Sequence, residues 1–336
     1  MVKTMLIRSE KVEQTRALIK QRFEDFPTPN KSYVVLMAPR SGSTLLCKSL
    51  GDVEFGNPIE AFHKERALRD QYGWDINFDD PYEYLVQVLE YQTRNGILGM
   101  KLNWGQFQRF LKIARNFLDG IGAPSLEPHE TLEVFFPNLL YIHIKRRDKL
   151  AQAISYSKAL QTGEWLRPKS GEIRIAHPPQ YDRRLIEYSL WKLLAIDNAW
   201  LSFLRRYQIP HLEVWYEDLS KKFSETLASV YRYLGVTAEP PPPSLAKQAD
   251  RTSLAWRERF LQETPWLQEA PMKDYLENGE LMEAFIEISI HWAFIIPDRY
   301  WESSTLYRYH VLRQQWRQLR ARLLSPWRRR RARHEP

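Results

Sequence analysis

Apolar and polar positions alternate in short blocks along this chain, and the blocks predict helices and strands in turn. Residues 9–26 carry a helical spacing and end at Pro27-Thr28-Pro29-Asn30, a stop signal. Tyr33-Val34-Val35-Leu36-Met37-Ala38 is an apolar run too short for a helix; its two adjacent valines mark it as a buried strand. A small-residue turn follows, and Leu45, Leu46 and Leu50 resume at helical spacing, with Ser43 or Thr44 placed to cap that helix. The rhythm then repeats. Helices are predicted over 82–94, 106–118, from 149 to about 160, over 181–207 and over 220–234, and strands over 97–104, 139–144 and 211–216. The predicted fold class is therefore α/β, three layers with a central parallel sheet covered on both faces.

The turn at 39–44 is where chemistry enters. A strand, a turn containing Gly42 and a helix N-terminus present free backbone N–H groups and the positive end of the helix dipole to an anion. The loop resembles a phosphate loop, yet no lysine follows its glycine; Arg40 precedes it and Ser43-Thr44 follow. A guanidinium offers several oxygens of one group a rigid fork of donors. The plainer alternative is an ordinary strand–helix turn with a surface arginine. Ligands of open parallel sheets bind beyond the carboxyl ends of the strands. Arg40, Lys101 and Arg146 all fall near such ends, and Glu60 lies in a loop, 56–63, able to reach the same edge.

Composition adds bounds. The 336 residues are 43% hydrophobic and 27% charged, as in a folded globular protein, and Cys47 is the single cysteine, so no intrachain disulfide forms and a reducing, cytoplasmic setting is expected. Cys47 itself reads as a packed, inert thiol. No apolar run is long enough for a signal peptide or a membrane anchor. The net charge of +8 is unevenly spread: residues 306–336 hold ten arginines and one acid, so the rest of the chain is close to neutral. In that tail Tyr309, Leu312, Trp316, Leu319 and Leu323 form one narrow helical stripe edged by arginines. It suits an interfacial helix on an anionic membrane surface, at the inner face. A helix docked on its own domain, or on a second subunit in a homodimer, is the alternative; nucleic acid is not expected as a partner. Two parts are thus predicted, a domain over 1–263 and a helical extension over 264–336.

Six motifs in order resemble one family. They are Pro39-Arg-Ser-Gly-Ser-Thr-Leu-Leu46; Gly56-x-Pro-x-Glu60-x-Phe62; Gly99-Met-Lys-Leu102 followed by Trp104; the segment from Arg146 to Ser155; Gln161-Thr162 with Trp165; and Gln248-Ala-Asp250 with Ser253 and Trp256. Over about 33–260 the chain is similar to the sulfotransferases of the Stf-zero type, the bacterial trehalose 2-sulfotransferase group. The resemblance implies 3′-phosphoadenosine 5′-phosphosulfate (PAPS) as sulfuryl donor, a carbohydrate or glycolipid hydroxyl as acceptor, and no metal. It implies that Arg40, Ser41, Gly42, Ser43 and Thr44 hold the 5′-phosphosulfate and that Arg146 with Ser155 grips the 3′-phosphate, while Gln248, Ser253 and Trp256 fold over the nucleotide. The adjacent Arg147 leaves open which arginine turns inward. Glu60 becomes the general base, its pKa expected to be raised by partial burial between Pro58 and Phe62, and Lys101 neutralises charge on the bridging oxygen. For Glu60 the alternative is a carboxylate that only steadies the next helical turn; for Lys101 it is a surface ion pair. His63 is a second candidate base, and Phe62, Trp104 and Trp165 are candidates for acceptor contact. A phosphate-loop kinase and a non-catalytic nucleotide-binding module are the competing readings. The missing loop lysine tells against the first, and the joint presence of Arg40, Glu60, Arg146 and Ser155 against the second.

Overall fold

The computed structural model describes residues 10–165, 178–243 and 251–268. Helix α1 (Glu10–Arg22) precedes β1 (Lys31–Met37) and α2 (Ser43–Gly51), then α3 (Glu65–Tyr72) and α4 (Pro81–Gln92). A short hairpin, β2 (Thr93–Arg94) and β3 (Ile97–Leu102), leads into α5 (Trp104–Gly120) and α6 (Pro128–Phe135). Next come β4 (Leu139–Lys145), α7 (Lys149–Thr162), the long α8 (Arg183–Arg206) and β5 (His211–Trp215). Helices α9 (Tyr216–Lys221), α10 (Phe223–Leu234) and α11 (Arg251–Glu263) follow, with a final 3-10 turn at Pro265–Gln268.

The sheet runs β2-β3-β1-β4-β5. Four strands are parallel, as the alternation of elements predicts, and β2 pairs antiparallel at the edge. Period-two geometry splits β1 between two cores. Val34 and Leu36 face a cluster with Leu98, Met100 and Leu102 of β3, Phe107 and Phe110 of α5 and Trp200 of α8. Tyr33, Val35 and Met37 face the other side, against Leu46, Cys47 and Leu50 of α2 and Leu227, Val230 and Leu234 of α10. A third cluster joins α7, α8 and α11 through Leu150, Ile154, Leu190, Leu194, Trp256 and Phe260. Register places Val35 opposite Lys101 and Met37 opposite Ile144, so the turn after β1, the end of β3 and the segment after β4 share one edge.

Several sequence expectations shift. The helix predicted over 82–94 stops at Gln92, because Asn95 and Gly96, at φ 51° and 74°, make a tight hairpin turn that draws Thr93 and Arg94 into β2. The helix predicted over 220–234 is two helices divided at Lys222. Helix α3 went unread because Leu68 is its one buried position, and α6 because its signal is a proline start and a Glu127/Glu130 capping box rather than a long apolar stripe. Neither Ser43 nor Thr44 caps α2. Gly42 takes the cap position in a left-handed conformation without a side-chain cap, which leaves the two hydroxyls for other partners. Cys47 is buried, and burial pushes its thiol up to about 12, matching the inert reading. The tail helix and Gln248 lie outside the described residues.

Candidate active site

The turn after β1 is built around two left-handed residues, Arg40 at φ 66° and Gly42 at φ 85°. A Cβ on Gly42 would sit 2.6 Å from Cδ2 of Tyr216, so the loop closes onto that ring only with glycine. Arg40 donates through Nε to Ser155 Oγ (3.0 Å) and through Nη1 to the Trp165 carbonyl (2.5 Å). Arg146 lies alongside: its Nη1 donates to the Arg40 carbonyl at 3.4 Å and its guanidinium sits 4.5 Å from the Tyr216 ring centroid. Burial, and then the Arg146 charge, push the Arg40 pKa down to about 10. Two guanidiniums packed together raise each other's electrostatic cost, which an anion between them relieves. Ser41 Oγ and Arg146 Nε are buried here with no hydrogen-bond partner among the described residues. Orphaned donors beside paired cations fit a multiply charged anion.

Arg147 points elsewhere. Its backbone N–H is held by the Glu217 carboxylate, and its guanidinium donates to Asp218 at 2.9 Å while lying over Trp215. The sequence ambiguity between the two arginines is therefore settled geometrically: Arg146 belongs to the cluster with Arg40 and Ser155.

The Glu60 loop is stitched to β3. Gly56, at φ 75°, lets the loop backbone approach Gly99, where a Cβ would come within 2.6 Å of the Gly99 nitrogen. Ile59 bridges to Met100, and its carbonyl accepts from Lys101 N–H (3.3 Å) and Gln92 Nε2 (2.9 Å). Glu60 and Lys101 thereby become neighbours. Lys101 Nζ lies 2.7 Å from Glu60 Oε1 and donates to Thr44 Oγ1 at 3.0 Å, joining the 56–63 loop to the turn after β1. The other carboxylate oxygen, Oε2, accepts from Gln106 Nε2 at 2.7 Å. The expected raised pKa is overturned. Burial alone would push the Glu60 carboxyl up, but the Lys101 charge, hydrogen bonds from Lys101 and Gln106, and nearby His63 together hold it below the usual carboxylate range. Nor is Lys101 in a surface pair, since it is 7% exposed.

Two candidate acceptor residues are core residues. Phe62 is buried between Tyr84 and Phe110, and Trp104 packs edge-on to Trp200 at 4.9 Å and against Phe107, so neither ring is offered as a platform. Trp104 opens α5 where β3 was expected to end, and that start turns its indole inward. Trp165 is 45% exposed, close to Arg40. His63 is exposed beside Glu60, its carbonyl accepting from Arg109. Helix α11 packs on α7: Ser253 Oγ accepts from Lys158, and Arg257 clamps Asp148, the cap of α7, at 2.8 and 3.0 Å. Trp256 is buried against Tyr181, with its side chain in the packing rather than at a surface. Sequence reading missed Gln106 and Tyr216. Asn103-x-x-Gln106 was visible as a capping box, but nothing local to Tyr216 signalled its place beneath Gly42.

Comparison with known proteins identifies the family. The chain is similar to a trehalose 2-sulfotransferase of Mycolicibacterium smegmatis, 28% identical over 70% of this chain and 95% of that protein. It is also similar to a trehalose 2-sulfotransferase of Mycobacterium tuberculosis, 26% identical over 70% of this chain and 97% of that protein. Among solved structures, the sulfotransferase domain of the Synechococcus PCC 7002 olefin synthase aligns with 81% of this chain and 98% of its own, at 19% identity and a TM-score of 0.34. The profile of the Stf0 sulphotransferase family matches residues 32–263, which span the whole sheet, the Arg40–Arg146 cluster and the Glu60–Lys101 pair. The chain belongs to the Stf0 sulphotransferase family and is a transferase.

Proposed function

We propose that this enzyme moves a sulfuryl group from PAPS to a carbohydrate or glycolipid hydroxyl, with Glu60 as general base. The observation that carries the reading is the Lys101 bridge, 3.0 Å to Thr44 in the phosphate loop and 2.7 Å to Glu60 in the acceptor loop. It brings an anion-binding loop and a carboxylate within reach of one ammonium group. PAPS supplies the sulfuryl group on a phosphate leaving group. The loop N–H groups, Arg40 and the hydroxyls of Ser41, Ser43 and Thr44 hold the 5′ end, and Arg146 with Ser155 takes the 3′-phosphate. Lys101 neutralises charge at the bridging oxygen, and Glu60 Oε1 accepts the acceptor's proton.

The lowered pKa of Glu60 bears on the order of events. While Lys101 faces it, Glu60 is ionised but a weak base. Once an anionic donor draws the Lys101 charge, burial acts on a carboxylate with less compensation and raises its basicity. The base then strengthens when the donor is in place, which limits futile proton removal beforehand.

The names of the two mycobacterial relatives support a sugar as acceptor. Around Glu60 the exposed His63, with exposed Trp165, would set which sugar, whereas Ala61 is buried in the core. Calorimetric titration with adenosine 3′,5′-bisphosphate and with ATP tests the donor, and sulfuryl transfer from labelled PAPS to a panel of sugars tests the reaction. Bisphosphate binding without ATP binding, plus transfer that Glu60→Gln abolishes, is expected. ATP preferred over the bisphosphate overturns the donor; Glu60→Gln near full turnover overturns the base. The basic segment 306–336 is proposed to attach the enzyme to anionic membrane at its inner face. Vesicle co-sedimentation of the full chain at low and high salt reads this, with loss of binding at high salt expected. Equal binding to neutral vesicles refutes it. Among the described residues no helix is long and apolar enough to cross a membrane.

A further inference from the structure

Gln106 stands at the third position of α5 and closes a capping box. Its Oε1 accepts from the Asn103 backbone N–H at 3.0 Å, and its own N–H donates to Asn103 Oδ1 at 3.0 Å. With Oε1 committed to the cap, the amide can turn only its Nε2 outward, and that nitrogen meets Glu60 Oε2 at 2.7 Å. The residue is 5% exposed, so its donor side is shielded from water. Lys101 meanwhile lies on the other oxygen, Oε1. The two carboxylate oxygens are thus held by different kinds of partner. Lys101 is a cation that also donates to Thr44 of the turn after β1; Gln106 is a neutral donor fixed to a helix end.

We propose that Gln106 is the positioning residue of Glu60: its amide occupies Oε2, fixes the plane of the carboxylate and leaves the second lone pair of Oε1, beside Lys101, to take the acceptor's proton. The inference rests on the reading of Glu60 as base. The cap alone does not explain the residue, because a capping box accepts Glu as readily as Gln at this position. A glutamate would cap α5 equally well but would face Glu60 with a second carboxylate. The choice of the amide is what Glu60 requires. The groups around Glu60 are few: Lys101 from β3, Gln106 from α5 and His63 from its own loop lower its pKa, and the Glu60 charge in turn raises Cys47 of α2 and Tyr72 of α3. Among them Gln106 is a neutral, fixed donor, so its hydrogen bond does not alter with pH.

Gln106→Glu therefore separates the two roles, since it keeps the cap and removes the donor. Two carboxylates this close cannot both ionise, so the pair retains a proton into higher pH. With sulfuryl transfer measured on the full chain, kcat at neutral pH should fall by about 10- to 100-fold, part of the roughly 10²–10⁴ that a general base contributes. The acidic limb of the pH–kcat/KM profile for acceptor should move to higher pH, with KM for PAPS changed less than about threefold and thermal stability close to wild type. Gln106→Leu, which loses cap and donor together, should move the limb the same way but by less. Glu60→Gln is run beside them. If it is inactive while Gln106→Glu keeps wild-type kcat and limb, the positioning role is overturned and the base stands. A fall in kcat with no limb movement in either Gln106 variant assigns the residue to the helix cap alone and also overturns the proposal. Near-normal turnover in Glu60→Gln removes the base itself.

Discussion

Replacing Lys101 by methionine isolates what one charge does for Glu60. Methionine keeps much of the aliphatic stem in a slot where Lys101 is 7% exposed, and removes the ammonium lying 2.7 Å from Oε1. Taking one partner from a buried ion pair costs about 3–5 kcal/mol because the other charge is left uncompensated. The Glu60 side chain keeps 29% of its surface in solvent, so screening lowers the expected loss to about 2–3 kcal/mol at neutral pH. The pH dependence then tests the cause. In the wild type the folded pKa of Glu60 is depressed, so the unfolded chain binds more protons in acid. Its contribution is present above the unfolded carboxylate pKa and lost as pH falls through the folded one. In Lys101→Met burial dominates, the folded pKa rises above the unfolded one, and the lone carboxylate destabilises the protein until it is protonated. The stability gap should be widest near neutrality and close as pH falls toward the ordinary carboxylate range, about 4. Urea unfolding of the full chain, followed by tryptophan fluorescence from about pH 7.5 to about pH 4.5, reads that gap. A gap of equal size at both ends would refute the electrostatic account and leave lost packing as its source.

Other outcomes follow from the same contacts. Arg146→Ala should weaken binding of adenosine 3′,5′-bisphosphate by roughly 1.5–3 kcal/mol, the worth of hydrogen bonds to a charged group, whereas Arg147→Ala, whose guanidinium is already spent on Asp218, should change it little; calorimetry compares them. Gly42→Ala should cost about 1–2 kcal/mol from its left-handed backbone alone and lose bisphosphate affinity, since Tyr216 stands where the new methyl would go. Lys149→Met should destabilise by about 3–5 kcal/mol in denaturant melts, because Asp197 would remain buried without its partner at 2.5 Å. Trp104→Ala should cost about 3–5 kcal/mol of stability, the loss expected of a large core aromatic. A loss of acceptor affinity with stability intact would instead return Trp104 to the sugar site.

The chain's own pattern determined the α/β class, the main strands in chain order and the glycine turn after the first of them. Each depends on short-range facts: an apolar run of strand length at 33–38, a glycine turn, a helix start. The strand ends pointed to Arg40, Lys101, Arg146 and Glu60, the family resemblance added Ser155, and the fold brings these five side chains near one sheet edge. Tertiary structure decided what sequence distance hides. Glu60 and Lys101 lie far apart in the chain, and only the Gly56–Gly99 approach makes them an ion pair, so the direction of the Glu60 shift could not be read from its flanking Pro58 and Phe62. Arg146 and Arg147 are adjacent and chemically alike; Glu217 and Asp218, after β5, decide which one turns inward. Trp104 and Phe62 were candidates for acceptor contact, and the helices around them put both in the core. A side chain's type limits what it can do, but its partners across the fold fix its charge state and direction, because Coulomb and hydrogen-bond energies depend on distance in space rather than along the chain.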